Sequence, residues 1–309
     1  MKPSGGDNVM QGKLTIGPIL FHWPADKKRD FYFRIADEAP VDTVYLGEVV
    51  CSKRSPFFED HYAEVAERLV NAEKTVVFSS LAEVMIPRER KMTEGVCTLN
   101  DFEVEANDSS ALYHLRGKPH RVGQYFNTYN EEALSHLAGN GATHVCLPAE
   151  LPSSSLSALS KTASDTGVGL EVQVYGRVGL ALSARCYHAR AHGRVKDNCQ
   201  FVCEEDPDGM LLKTLEGQDF LCVNGVQTLS YTCLNLMHEM ADMSAMGIDY
   251  FRLSPQNCDM VAVSRCYHDV LSGCLSTEEG QARLSESGQN IPFSNGFYYN
   301  KEGYLWNHG

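Results

Sequence analysis

The stretch IDYFRLSP, residues 248–255, decides the fold, because it reads as an eighth β-strand. It is a short apolar run closed by Ser-Pro, as expected of a strand buried in a parallel sheet. Seven similar runs precede it. Nearest are GLEVQVYG (169–176) and THVCLPAEL (143–151), then HRVGQYFN (120–127) and FEVEAND (102–108). TVVFSSL (75–81), VDTVYLGEVV (41–50) and LTIGPIL (14–20) complete the set. Helical periodicity fills most of the gaps. After the second strand, Tyr62, Val65, Ala66, Leu69 and Val70 form a stripe along one helix face. EEALSHLAGNGA, after the fifth, ends at glycines as a helix C-terminus does. PSSSLSALSKTA, after the sixth, opens on serines suited to an N-cap.

Eight strands alternating with short helices predict an α/β fold, a (β/α)8 TIM-like barrel. A doubly wound sheet is the main competitor. No GxGxxG follows the first strand and no P-loop occurs, which removes the usual nucleotide-binding signatures. The gap between strands seven and eight is far longer than the others and predicts a cysteine-bearing insertion over about 184–246. It holds a DPDG turn (206–209), an apolar stretch FLCVNGVQTLS (220–230), and a helix whose Leu236, Met237, Met240 and Met243 read as core packing. The expected organisation is a flexible leader over 1–12, a single barrel domain over 13–275, and a C-terminal tail over 276–309 packed on the barrel.

The net charge of −13 argues against broad nucleic-acid binding, which needs clustered Lys and Arg. No apolar run approaches the roughly 18–20 residues of a membrane helix. The opening MKPSGGDNVMQGKLT lacks the apolar centre of a signal peptide, so a cytoplasmic protein without a transmembrane segment is expected. Eleven cysteines in such a chain point to metal or redox chemistry before disulfides.

In a barrel of this kind the active face lies where the strands end. Glu48 and Cys51 follow the second strand, and Glu105 and Asn107 end the fourth. Tyr175 and Arg177 close the seventh, and Arg252 lies in the eighth. Glu48, Glu105, Asn107, Tyr175, Arg177 and Arg252 are therefore candidate lining of a substrate pocket. The two guanidinium groups could take a dicarboxylate through paired hydrogen bonds. The plainer reading of each is a barrel hydrogen bond or a structural ion pair.

CYHARAHGRVKDNCQFVC, residues 186–203, supplies three thiols in a C-x12-C-x3-C pattern. Cys51 emerges on the same face, so Cys51, Cys186, Cys199 and Cys203 could meet. Thiolates select zinc or iron–sulfur clusters. The paired C-x2-C knuckles of a zinc ribbon are missing, and separated ligands suit a cuboidal cluster better. Unrelated buried or surface thiols are the alternative. Cys97, Cys146, Cys222, Cys233, Cys258, Cys266 and Cys274 show no ligand-like spacing. HEMAD (238–242) begins like a zincin helix, but Asp242 stands where the second histidine belongs. There is no G-x-S-x-G elbow and no radical-SAM C-x3-C-x2-C.

The segment from Gly169 to Cys203 is similar to the signature region of the collagenase-like peptidase family, whose catalytic type is unassigned. GPILFHWP, YLGEVVCSKR, FEVEAND, FNTYN, HVCLPAEL, VNGVQTLS and FRLSPQ extend the resemblance over nearly the whole chain after the leader. The cysteine layout resembles that of a non-peptidase branch serving ubiquinone biosynthesis. There, one ligand comes from an early strand and three from a later segment. The resemblance implies a [4Fe–4S] cluster on Cys51, Cys186, Cys199 and Cys203. It also implies a heterodimer with a paralogue of the same family, working beside other ubiquinone biosynthesis proteins. The implied activity is oxygen-independent hydroxylation of the ubiquinone precursor ring, with prephenate as hydroxyl donor. On this reading the chain is a subunit of a hydroxylase complex rather than a peptidase, and no catalytic residue is assigned. A collagenase-like peptidase and an RNA-base hydroxylation factor are the alternatives within the family.

Overall fold

The structure, a computed structural model, describes residues 10, 12–286 and 291–308. The leader expected over 1–12 thus lies almost wholly outside the described residues, as do 287–290 of the tail. Seven parallel strands come first: β1 (Lys13–Ile16), β2 (Thr43–Leu46), β3 (Thr75–Ser79), β4 (Glu103–Ala106), β5 (His120–Val122), β6 (Ala142–Leu147) and β7 (Gly169–Gly176). The helices between them are α1 (Ala25–Glu38), α2 (Tyr62–Asn71), α3 (Pro87–Cys97), α4 (Ser109–Leu115), α5 (Glu131–Gly139) and α6 (Ser153–Thr166).

Beyond β7 the chain leaves the barrel. It forms β8 (Gly179–Leu182), the short helix α7 (Tyr187–Ala191), and then β9 (Met210–Lys213), β10 (Asp219–Asn224) and β11 (Gln227–Ser230). These strands make a four-stranded antiparallel sheet in the order β8-β11-β10-β9. Next, β12 (Cys233–Asn235) pairs antiparallel with β7, and α8 (Met240–Met246) leads into β13 (Tyr250–Leu253). The segment IDYFRLSP does what its count predicts: β13 pairs in parallel with both β1 and β7 and closes an eight-stranded barrel. After it come α9 (Met260–Leu271), α10 (Thr277–Glu286) and β14 (Phe293–Ser294), which pairs with β12. Met237, Met240 and Met243 are fully buried in the main core, as read from the sequence. Among the described residues, no helix is long and apolar enough to cross a membrane.

Most strands are shorter than their apolar runs, for a physical reason. Residues past the strand ends stay apolar because the insertion covers them. Leu20, Val49 and Val50 from the loops after β1 and β2 pack with Ala189 and Val226 of the insertion in a separate buried cluster. Burying such an aliphatic side chain contributes about 1.5–3 kcal/mol, so the insertion is fixed to the mouth of the barrel.

Local chemistry also differs in places. The serines after Pro152 lie inside α6, and no side chain caps that helix. Asp108 caps α4 instead, accepting a hydrogen bond from the Ser110 N–H at 2.6 Å. On α2, Val65, Ala66 and Leu69 are buried, but Val70 is 50% exposed.

Gly47 turns the chain out of β2 with φ +126°, and a Cβ there would meet the Ser79 carbonyl oxygen at 2.4 Å. Gly95→Ala is a contrast, since a Cβ on that α3 residue meets nothing within 4 Å. Gly47→Ala is expected to cost more than about 1 kcal/mol, whereas Gly95→Ala should gain about 0.5–1 kcal/mol through helix propensity. Thermal unfolding of the two variants beside the parent checks this.

Candidate metal centre and barrel interior

Cys51 sits in the loop that follows β2. The Glu48 carboxylate shapes this loop by accepting the N–H groups of Val50 at 3.1 Å and Cys51 at 3.0 Å. The loop then turns, with the Arg54 N–H bonded to the Cys51 carbonyl at 2.9 Å. Cys186 occupies the N-cap position of α7, its sulfur accepting the Ala189 N–H at 3.4 Å. Between Cys199 and Cys203, Gln200 and Phe201 both adopt left-handed backbone, with φ of 50° and 54°. Two consecutive non-glycine residues in that region are costly. The reversal they make lets both flanking cysteines line one pocket with Cys51 and Cys186. The structure thus brings together the four thiols singled out by spacing. Cys186 and Cys203 are buried, and Cys51 and Cys199 are half-buried.

Cations organise this pocket in two ways. Lys53 donates to the carbonyls of Lys196 and Asp197 at 2.7 and 3.0 Å. Arg194 donates to the Cys199 carbonyl at 3.2 Å, and Lys196 lies 3.6 Å from Glu83. These side chains clamp the loop through its backbone. Arg54 is different. It is 2% exposed and donates to the Leu20 carbonyl at 2.9 Å and the Asn224 side-chain oxygen at 3.0 Å. It also lines the thiol pocket, and its Nε has no hydrogen-bond partner. Burial pushes the Cys51, Cys186 and Cys203 thiols up from their ordinary pKa, and the Arg54 charge pulls each of them back toward the thiolate.

His188 also borders the pocket, fully buried, with Nε2 2.8 Å from Asp206. Burial lowers its pKa against the pull of Asp206, which favours the neutral ring. With Nε2–H given to the carboxylate, Nδ1 carries the lone pair, and it has no protein partner. His188, His192 and Asp206 are the group among the described residues whose ligand atoms all lie within 4.8 Å. The four thiols are spread more widely than that. A single tetrahedral zinc, with Zn–S of about 2.3 Å, would need its sulfurs roughly 3.8 Å apart. A cuboidal cluster holds one thiolate at each iron corner and spaces them farther. The donor chemistry and the buried, partly unpartnered guanidinium fit an anionic cluster. Arg54, His188 and Asp206 escape a reading by cysteine spacing. The only sequence signal for them is proximity to Cys51, Cys186 and Cys203.

The other candidates separate into three places. Glu48 stays at the Cys51 loop, 3.9 Å from Lys28. Glu105, Asn107 and Arg252 meet inside the barrel. There the Arg252 Nη2 donates to Glu105 and to Glu171, each at 2.6 Å. Asn107 and Ser79 donate to Glu105 at 3.1 and 2.7 Å. Tyr45 donates to Glu171 at 2.8 Å and receives Arg121 at 3.1 Å, while Thr15 also donates to Glu171. Arg252 is thus the centre of a buried ion-pair network. Burial pushes the Glu171 carboxyl up, but Arg252, Thr15 and Arg121 outweigh it and hold it below the ordinary carboxylate range. Tyr175 and Arg177 lie elsewhere. A register shift between β13 and β7 beside Tyr175 breaks the in-out alternation. Tyr175 then packs on Tyr267 of α9, with its hydroxyl 3.6 Å from the Cys258 sulfur. Arg177 donates to the carbonyls of Ser230 and Tyr231 at 2.9 and 2.7 Å, tying down the insertion sheet.

The sequence pattern of peptidase family U32 matches residues 32–308, which include all four of these cysteines and the whole ion-pair network except Thr15. The chain belongs to peptidase family U32. Solved structures similar to this U32 protein are distant. An enolase from Agrobacterium radiobacter is 14% identical, with 53% of this chain matched to 45% of that one and a TM-score of 0.38. The tryptophan synthase complex of Pyrococcus furiosus is 11% identical over 90% of this chain and 98% of that one, with a TM-score of 0.41. The spore cortex-lytic enzyme SleL of Bacillus cereus is 9% identical over 92% of this chain and 76% of that one, with a TM-score of 0.37. The chain spans less than half the length of the enolase. The barrel assignment for this U32 chain rests on its own strand pairing.

Arg252→Met is expected to leave Glu105 and Glu171 buried without the guanidinium they share, at a cost of about 3–5 kcal/mol near neutral pH. The sign with pH follows from the depressed Glu171 pKa. Its stabilisation is complete above the unfolded value of about 4.3 and is lost as pH falls through the lower folded value. Denaturant unfolding should therefore show the gap between parent and variant narrowing in acid.

Proposed function

We propose that this protein is a UbiV-type iron–sulfur subunit. It would act with a UbiU-type paralogue in oxygen-independent hydroxylation of the ubiquinone precursor ring, with prephenate as the hydroxyl donor. The observation that carries the reading is the gathering of Cys51, Cys186, Cys199 and Cys203 around one pocket beside a buried guanidinium. Family membership supports it coarsely, and the split of ligands between an early loop and a later segment supports the finer branch.

A [4Fe–4S] cluster there would supply one-electron transfer. The chain's own residues do the rest. Glu48 fixes the Cys51 loop through two backbone N–H groups. Lys53 and Arg194 hold the Cys199 loop by its carbonyls. Arg54 provides a fixed, buried positive charge, which is worth more there than at the surface. The Leu20, Val50 and Val226 side chains pack against the same loops and keep solvent away. Four cysteine ligands leave no iron with an open position, which favours electron transfer or structural support over Lewis-acid work.

A second reading, a hydrolase, rests on His188, His192 and Asp206, which could hold a single ion. The two readings differ in what the protein carries. Anaerobically purified protein is expected to be brown, with about four irons and four sulfides per chain. Alanine at any one of the four cysteines should bleach it, and alanine at Cys146 or Cys222 should not. A colourless protein with one zinc lost on His192→Ala would sink the cluster reading in favour of the hydrolase. In cells, deletion should abolish ubiquinone during growth without oxygen and leave it intact with oxygen, read by quinone profiling.

A further inference from the structure

The stretch ARCYHARAHGRVK, residues 184–196, carries four cations and no carboxylate in a chain whose net charge is −13. The structure gathers all four. Arg185, Arg190, Arg194 and Lys196 line an open cavity of about 410 Å³, whose wall is completed by Ala184, Cys186 and Val195. The fold uses only two of these charges. Arg194 donates to the Cys199 carbonyl, and Lys196 lies between Glu83 and the Ala184 carbonyl. Arg185 and Arg190 are exposed, and neither guanidinium has a hydrogen-bond or ion-pair partner among the described residues. Val195 stands among them, 63% exposed, and the exposed Asp197 follows Lys196 in the chain.

This cationic face adjoins the thiol pocket. Cys186 and Lys196 line both cavities, so a molecule seated on the face lies against one of the four thiol-bearing residues. We propose that the face docks a small acidic protein that carries one electron. The inference rests on the iron–sulfur reading and deepens it, since it names the class of partner that supplies the reductant. In the transfer the carrier is oxidised by one electron and the [4Fe–4S] centre is reduced by one. No bond forms or breaks, and no proton moves.

Charge, shape and place select this occupant. Four cations on an otherwise acidic chain steer an acidic partner to this face and no other kind. None of the lining residues has a buried polar atom left without a partner, so a small anion meets no preformed buried donor. An exposed valine ringed by charge is instead the apolar centre and polar rim of a protein interface. A nucleic acid is disfavoured by the net charge, and no aromatic ring lines the cavity for a base to stack on. Electron carriers meet their partners over small, transient contacts that suit a patch of this extent.

The test is titration of the anaerobically purified full chain with a plant-type [2Fe–2S] ferredoxin, chosen for its acidic surface. Cytochrome c, a basic one-electron carrier, is the control. Ferredoxin should bind one to one at low salt. Raising the ionic strength from about 0.01 M to about 0.15 M should weaken binding about 10-fold, as the reach of each charge shrinks. The double variant Arg185→Glu/Arg190→Glu should weaken it about 10-fold at low salt, with iron content and melting temperature unchanged, because neither side chain has a partner in the fold. Arg116→Glu/Lys118→Glu makes the same charge change between α4 and β5 and should alter binding less than about 2-fold. Hydrogen exchange should slow over 184–196 in the complex. Reduced ferredoxin mixed with the chain should return to its oxidised spectrum, and more slowly with the Arg185→Glu/Arg190→Glu variant. Equal binding of cytochrome c, unchanged affinity in the folded double variant, protection elsewhere, or binding without oxidation of ferredoxin would overturn the proposal. So would tighter binding of citrate or a DNA oligonucleotide, or loss of ferredoxin when the UbiU-type paralogue is added. The two readings fail separately. Iron-free protein sinks the cluster by its metal content, whereas iron-loaded protein that leaves ferredoxin unbound sinks only the docking.

Discussion

The Arg54 guanidinium joins three parts of the molecule that are far apart in sequence. It leaves the loop after β2, holds the carbonyl of Leu20 after β1, and reaches Asn224 on β10 of the insertion. Asn224 returns a bond to the same Leu20 carbonyl at 2.8 Å and passes another to Gln227 at 3.2 Å. Gln227 then donates to the Tyr125 hydroxyl at 2.7 Å. This buried chain docks the small antiparallel sheet on the barrel mouth. A hydrogen bond to a charged group is worth about 1.5–3 kcal/mol, so the docking is coupled to the charge that faces the thiols. Gly225 shows how tight the fit is, since a Cβ there would stand 2.7 Å from the Arg54 Nη2.

The barrel interior is organised on the same principle at a second place. Arg252 bridges Glu105 and Glu171, and Tyr45 and Arg121 extend the network to Glu103. A barrel of this size is filled by side chains and is not a pore. Here the filling is largely ionic, and its groups mostly engage one another, the Arg252 Nε being left without a partner.

Much of this architecture was legible in the sequence. All eight strands were, because buried parallel strands read as short apolar runs, and so was the insertion, because one interval was too long. The convergence of Cys51 with Cys186, Cys199 and Cys203 followed from placing both segments at strand ends. The ends of the strands were not legible, because Leu20, Val49 and Val50 are apolar for the sake of the insertion and not of the sheet. Tyr175 read as a pocket residue because it lies at the end of β7, but beside the register shift against β13 it packs on Tyr267 of α9. Arg54 was invisible as a site residue, since a lone arginine after Ser-Lys has no pattern. Nor could periodicity show that Val70 would be exposed, because a stripe records which face is apolar and not what covers it.

The position of β13 has a consequence for how the chain is made. All four thiols precede it, Cys203 being the last, and the strand that joins β7 to β1 begins only at Tyr250. A growing chain therefore presents every thiol before its sheet can close. The contacts that join the Cys51 loop to the loop carrying Cys199 and Cys203, from Lys53 to the carbonyls of Lys196 and Asp197, also lie wholly before that strand. Asn224, the far anchor of Arg54, is synthesised in that same interval. Every thiol and both partners of the Arg54 guanidinium, Leu20 and Asn224, are thus synthesised before the seam between β13 and β1 can form.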